Sequence, residues 1–358
     1  MSIDLGELER KELEDAIVAR GAPRFHGRQI FHWIHRRGVT DPVAMTNLSQ
    51  ALRHTLAESC AITSPVIVER QTSTDGTQKF LLELQDGRRV EAVYIPDTPA
   101  QTFCISTQVG CAMGCAFCLT GKMGLVRNLT AGEIVGQVRV LARETSLAGT
   151  PFNIVLMGMG EPLHNYDATM KALRMLADEQ GLAVHPRRVT LSTVGLIPAI
   201  ERLAHEPVMP NLAISLHATT DAARSALVPI NKKYRLADLV ETCRRFPLAK
   251  RRRITFEYVL LAGVNDTPDD ARRLSRLLGG IKAKVNLLPL NAAPGIAFER
   301  PDDDRVNAFA KILADRGLTV SVRRSRGRDI RAACGQLIVE GARPSAGQAV
   351  AGSMNDPG

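Results

Sequence analysis

CISTQVGCAMGCAFC, residues 104–118, is the stretch on which the reading of this chain turns. Within it, Cys111, Cys115 and Cys118 form a C-x3-C-x2-C triplet. Three thiolates this close along a loop can converge on one metal centre, and soft sulfur ligands select zinc, copper(I) or an iron–sulfur cluster. A closed zinc site wants a fourth protein ligand, and such sites usually arrive as paired C-x2-C arms. No second Cys or His follows Cys118 at a suitable short spacing. Three protein ligands on a cubane cluster leave one iron open to bind something else. The plain alternative is a set of buried free thiols.

Outward from the triplet, the composition bounds the setting. A chain of 358 residues is long enough for one sizeable α/β domain with a small appendage. It is 45% hydrophobic with no long apolar run and no signal-peptide pattern, which predicts a soluble, cytoplasmic protein. Seven cysteines in a reducing compartment point to metal or catalysis rather than a disulfide framework. The net charge of +9 permits a polyanionic partner without identifying one. At 4%, aromatics are too few for a stacking platform to dominate binding of single strands.

The spacing predicts four parts. Residues 1–62 read as a helical accessory domain, with helices over Leu5 to Val18, Gln29 to His35 and Asn47 to Leu56, the last capped by Thr46 or Asn47. Residues 63–100 change to alternation: runs at Val66–Glu69, Lys79–Glu83 and Val90–Ile95 are separated by Asp75-Gly76 and Asp86-Gly87, strong hairpin signals. Glu91 lies on the last of these runs, where an outward-facing strand carboxylate is the ordinary reading. Residues 101–340 alternate strands and helices, which argues for parallel strands with right-handed crossovers. Six or seven units fall short of an eightfold barrel, so an incomplete one is expected, with its site at the carboxyl ends of the strands. The tail, 341–358, rich in Gly, Ala, Ser and Pro, reads as disordered.

That rule makes the strand ends a shortlist. One is followed by Met157-Gly158-Met159-Gly160-Glu161-Pro162, where glycines permit close approach to a ligand and the carboxylate can accept from a ligand amine. Others carry Ser192, Ser215-Leu216-His217 and Asn291, small polar groups suited to a ribose or an amino acid moiety. The last strand runs into Arg323, Arg324, Arg326, Arg328 and Arg331, then Cys334. Arginines on the rim that carries the cluster favour phosphate contact, and guanidinium groups favour a thiolate at Cys334. The basic run Lys250 to Arg253 precedes a strand and so falls on the opposite rim.

The triplet's spacing resembles that of the radical S-adenosylmethionine (SAM) superfamily, in which SAM's amino and carboxylate groups take the open iron. With MGMGEPL, STVG, SLHA and RGRDIRAACGQL, and with FHGRQIFHWIHRRGV and MTNLS near the N-terminus, the chain resembles the RlmN family of radical SAM methyltransferases. The resemblance runs to about Leu337. It implies a partial (β/α)6 barrel with Cys111, Cys115 and Cys118 on a [4Fe–4S] cluster. It also places Gly160, Glu161, Ser192, Ser215, Leu216, His217 and Asn291 around SAM. By the same resemblance Cys334 carries the methyl group, Cys104 is its disulfide partner during turnover, and Glu91 accepts a proton. That last assignment displaces the ordinary reading of Glu91. One departure is Gly124-Leu125-Val126-Arg127, where relatives often carry an aromatic and a polar residue before the Arg.

Members of that family methylate C2 of an adenine in the peptidyl-transferase centre of 23S rRNA, and many also methylate adenine 37 of tRNA. The resemblance implies two SAM molecules per turnover. One methylates Cys334, and a radical derived from the second activates that methyl group for addition to C2. A flavodoxin or ferredoxin is the implied electron donor, with no membrane partner and a monomeric enzyme. Arg323, Arg324, Arg326 and Arg328 are the candidate RNA contacts. The nearest rival is a Cfr-type enzyme acting on C8 of the same adenine, which shares the triplet and both extra cysteines. A rival from another class is a non-enzymatic RNA-binding protein with a structural metal.

Overall fold

The computed structural model describes residues 3–96 and 101–339; the expected disordered tail, 341–358, lies outside the described residues. Ten strands form one sheet, and their order in the sheet follows their order in the chain. They are β1 (Val66–Thr72), β2 (Gln78–Glu83), β3 (Arg89–Ile95), β4 (Thr102–Cys104) and β5 (Asn153–Leu156), then β6 (Val189–Thr193), β7 (Asn211–Ser215), β8 (Ile254–Leu260), β9 (Ala283–Pro289) and β10 (Thr319–Val322). The first three pairings, β1 to β4, are antiparallel. From β4 onward every pairing is parallel.

Six β/α units and a closing strand thus make the partial barrel. The crossovers are helices Ala131–Glu144, Tyr166–Ala177, Ile197–Leu203, the pair Asp221–Leu227 and Leu236–Arg245, Pro268–Leu277 and Asp303–Asp315. The first of them opens with a capping box formed by Thr130 and Glu133, each side chain meeting the other's backbone N–H. The parallel set begins at β4, whose three residues carry no periodicity of their own.

The alternating segment is not a free-standing ribbon. Its hairpins turn at Gly76 (φ 81°) and Gly87 (φ 76°), as the Asp-Gly pairs require. Its last strand, β3, pairs with β4 through Val93↔Cys104 and Ile95↔Thr102, so the hairpins continue the barrel sheet.

At the N-terminus, helices Arg10–Val18, Phe25–His35 and Gln50–Ser59 gather Leu13, Ile17, Ile30, Phe31, Ile34 and Leu56 into their own hydrophobic cluster. The third helix starts later than expected. Its cap is Ser49, which accepts from the Leu52 N–H, while Asn47 instead takes the indole N–H of Trp33. Among the described residues no helix is long and apolar enough to cross a membrane.

Candidate active site

A cavity opens at the carboxyl ends of the parallel strands. Cys111, Cys115 and Cys118 form one wall of it, on a loop held from several sides. The Ala116 N–H donates to the Leu227 carbonyl (2.9 Å) and the Cys118 N–H to the Cys115 carbonyl (3.1 Å). The segment bearing Cys334 is pinned to the same loop. The Leu119 N–H donates to the Gly335 carbonyl (2.8 Å), and the Thr120 hydroxyl to the Leu337 carbonyl (2.7 Å). Burial pushes the Cys111 thiol up to about 12. It also raises Cys115 and Cys118, each raised further by neighbouring cysteines. Three buried thiols that resist ionisation together become thiolates only when a cationic core compensates their charge, which is the chemistry of a bound cluster.

The SAM residues named from the sequence meet around the same cavity, with one exception. Glu161 is buried, and its carboxylate accepts from the Val194 N–H (2.9 Å) and the Leu163 N–H (3.1 Å). Burial pushes it up to about 7. The glycines beside it line the cavity, and packing behind them also excludes a side chain. A Cβ at Gly158 would lie 2.7 Å from the Ile105 carbonyl, and one at Gly160 (φ 104°) would lie 2.6 Å from Gln108 Cβ. Ser192 and Ser215 face each other, hydroxyl oxygens 3.3 Å apart. His217 has its Nδ1 accepting from the Val259 N–H (3.0 Å), and burial, then Arg224, holds it down to about 3, so the ring is neutral. Asn291 donates to the Cys334 carbonyl (3.3 Å) and keeps a buried Oδ1 without a partner. Leu216 is the exception: its side chain is fully buried in the core, and it does not line the cavity.

A second, smaller cavity adjoins the first, and Cys104 and Cys334 both line it. Met157, Leu288, Asn291, Arg323 and Cys334 border both spaces. Cys104, at the end of β4, is pushed up to about 12 by burial and then by Cys334. Both cysteines are free thiols here. Arg323 lines the same cavity as both, its pKa raised first by Cys334 and also by Glu257 and Cys104. It is therefore turned towards the thiols, whereas Arg324 is exposed at the cavity mouth and Arg328 lies on an outer groove with Arg300 and Asp303.

Glu91 is not the outward carboxylate of the ordinary reading. It is 4% exposed, ion-paired to Lys79 (2.8 Å), and accepts from the Ile338 N–H (2.8 Å). Its side chain lines neither cavity.

Two residues escaped the sequence reading. Arg224 is fully buried, and its guanidinium donates to the carbonyls of Leu216 and Val194 and to Asn231, so it ties the ends of β6 and β7 together. Glu257 lines the larger cavity. Its signal was legible: it is the one charge in the apolar run ITFEYVL, on a strand buried on both faces.

Two family models match the chain: the radical SAM superfamily over residues 105–275, and a ribosomal RNA large subunit methyltransferase N-terminal domain over residues 3–62. A dual-specificity RNA methyltransferase RlmN from Geobacter sulfurreducens is 50% identical over 335 residues, covering 94% of this chain and 92% of the relative. Its counterpart from Anaeromyxobacter dehalogenans is 49% identical over 344 residues, covering 94% and 92%. This chain belongs to the RlmN family. The crystal structure of a radical SAM methyltransferase from Sphaerobacter thermophilus superimposes with a TM-score of 0.89 at 49% identity, covering 94% of this chain and 99% of that one. RlmN enzymes use a [4Fe–4S] cluster and SAM. The triplet of thiols, with unpartnered buried acceptors on Asn291 and Glu257 in the same cavity, fits both. A radical SAM enzyme displaces the reading of a non-enzymatic, metal-stabilised binding protein.

Proposed function

We propose that this enzyme methylates C2 of an adenine in 23S rRNA and adenine 37 of tRNAs, with Cys334 as the methyl carrier. The observation that carries this reading is the adjoining pair of cavities, one lined by the cluster triplet and the other by Cys104 and Cys334. The N-terminal match to a ribosomal RNA methyltransferase domain and the dual-specificity naming of the relatives support the substrate. When bound, the cluster and SAM supply a methyl group and a carbon radical where polar transfer to an electron-poor amidine carbon is unfavourable.

The chain's own groups do the rest. The Cys334 thiolate displaces the methyl group from sulfonium sulfur, and Arg323 beside it offsets the negative charge. Once the methylene carbon is bonded to C2, the adduct joins RNA to Cys334 and carries one unpaired electron, which the cluster, when bound, would take back. Glu91 takes the C2 proton while the Cys104 thiolate attacks the Cys334 sulfur. A disulfide forms, and the released carbon, left with the electron pair of the broken carbon–sulfur bond, takes up a proton to become the methyl group of the base. Glu91 is held by Ile338, four residues past Cys334, so movement of that segment would free the carboxylate. The substrate adenine must leave its stack to reach the cavity mouth, which favours loops over duplex RNA. A flavodoxin or ferredoxin supplies the electrons to a cytoplasmic monomer.

Arg324 and Arg326 line the smaller cavity beside Cys334 and are assigned to RNA phosphates. Changing both to Ala is expected to weaken RNA binding and to flatten the dependence of log K on log salt by about 1.4, the share of two phosphate contacts on single strands. An unchanged slope places the RNA elsewhere. The regiochemistry is read from mass spectrometry of nucleosides from a deletion strain with and without this gene. Restoration of 2-methyladenosine in 23S rRNA and in tRNA is expected, and 8-methyladenosine would instead assign the Cfr-type reaction.

A further inference from the structure

The rim opposite the two cavities, at the amino ends of the parallel strands, carries a groove with one sign of charge. Arg187, Lys250, Arg251, Arg252, Arg253 and Lys282 all line it. Asn211, Ala283 and Thr319, the first residues of β7, β9 and β10, line it as well, which fixes its place on the barrel. Among the described residues no Asp or Glu lines this groove, and none of its six cations has a carboxylate partner. Elsewhere the surface mixes its charges: Arg202 pairs with Asp167, Arg305 with Asp266 and Lys311 with Asp315.

Two of the cations are fastened to the sheet edge. The Arg252 guanidinium donates to the carbonyls of Met209 (2.8 Å) and Pro210 (3.0 Å), and Arg253 donates to the Thr319 hydroxyl (2.9 Å). The Arg252 Nε is buried with no acceptor, and burial, then Arg187, lowers that residue's pKa. A guanidinium short of an acceptor beside a second guanidinium is repulsive in the free protein, and an arriving anion relieves both costs.

A second groove continues the track towards the N-terminal domain. Arg36, His185 and Arg188 line it, again with no Asp or Glu among the described residues. Arg187 and Arg188 share one short turn, capped by His185 accepting from the Arg187 N–H (3.1 Å), so a single turn feeds both grooves. Arg36 caps the second N-terminal helix, in the domain that matches a ribosomal RNA methyltransferase N-terminal domain. Successive cations along a track suit a ligand with a negative charge at every repeat, as in a nucleic-acid backbone. An acidic electron carrier fits less well. β8 has seven residues, so at about 3.3 Å per residue the rim stands roughly 20 Å from the cavity, and a carrier docked there would be kept that far from the cluster triplet.

We propose that this amino-end rim binds the phosphate backbone of the substrate RNA, at nucleotides remote from the adenine in the cavity. Long RNA is thereby held at both ends of the barrel, and a hairpin that only fills the cavity mouth is held at one. The assignment rests on RNA being the substrate, as proposed above.

The test compares a domain-length 23S rRNA fragment with the short hairpin cut from it that keeps the target adenine. Both are bound to the anaerobically purified, cluster-loaded enzyme. The variant carries Arg187→Gln, Lys250→Gln and Lys282→Gln, three exposed cations. For the fragment, the slope of log K against log salt should flatten by about 2, the share of three contacts, and binding at 0.1 M salt should weaken about a hundred-fold. For the hairpin nothing should change, because charge acts over only about 10 Å at that salt, short of the distance to the cavity. Hydroxyl-radical footprinting on the wild type needs no variant: the fragment should be protected at nucleotides outside the hairpin. Unchanged slopes for both RNAs overturn the proposal, as do equal losses for both or protection confined to the hairpin. If reduction of the cluster by flavodoxin fell while RNA binding held, the rim would belong to an acidic protein instead. Wild type that binds neither RNA would overturn the RNA reading itself, and this assignment with it.

Discussion

Cys111→Ala is expected to lose iron, sulfide and SAM cleavage together. The three thiols share one wall of one cavity, and burial disfavours the thiolate of each unless a cationic core is bound. Two remaining thiols cannot hold a cubane whose fourth position must stay open to SAM. The brown colour of anaerobically purified protein should vanish and SAM cleavage should fall to background, as read by iron and sulfide assay and by release of 5′-deoxyadenosine. The fold should survive as the apo-form, because the sheet and its helices pack around a separate apolar core. Normal iron content with normal cleavage would sink the assignment of the triplet.

The second large effect separates Cys334 from Cys104. Cys334→Ala removes the proposed methyl carrier, so RNA should receive no methyl group and no adduct should form. Cys104→Ala leaves methylation of Cys334 and addition to RNA in place but removes the thiol that resolves the adduct. Protein expressed as Cys104→Ala should therefore carry covalently bound RNA, and the double variant should carry none. Both thiols border one cavity, so attack of one on the other's sulfur needs no rebuilding of the barrel. A disulfide still requires Cα atoms about 4.4–6.8 Å apart, which the segment around Cys334 must satisfy during turnover. Nuclease digestion followed by peptide mass spectrometry decides the matter. No nucleotide adduct on Cys334 in the Cys104→Ala protein would reverse or abolish the proposed division of roles.

What the sequence determined by itself was whatever rests on short-range chemistry. The triplet's spacing implied three ligands for one centre. Asp75-Gly76 and Asp86-Gly87 marked their turns because only a residue tolerant of positive φ fits there. Thr130 and Glu133 announced a helix start three residues apart, and alternation of apolar runs implied a parallel sheet whose site lies at one rim. Motif resemblance supplied the pairing of Cys104 with Cys334, which periodicity could not.

Only the tertiary structure decided which distant groups face one another. The pairing of β3 with β4 joined the hairpins to the barrel, and no local pattern in the three residues of β4 announces it. Glu91 turned from a presumed surface carboxylate into a buried one because Lys79 on β2 and Ile338 beyond the last strand meet it there. Leu216 sits among SAM-site neighbours in the chain, yet strand alternation sends its side chain to the opposite face, into the core. The glycines of MGMGEPL line the cavity, and only the fold shows that the crossing of Ile105 and Gln108 behind them also requires glycine there. Glu257, Asn286 and Ser321 align only because three parallel strands share a register, and a register is set by packing across the whole sheet rather than by any one strand's composition.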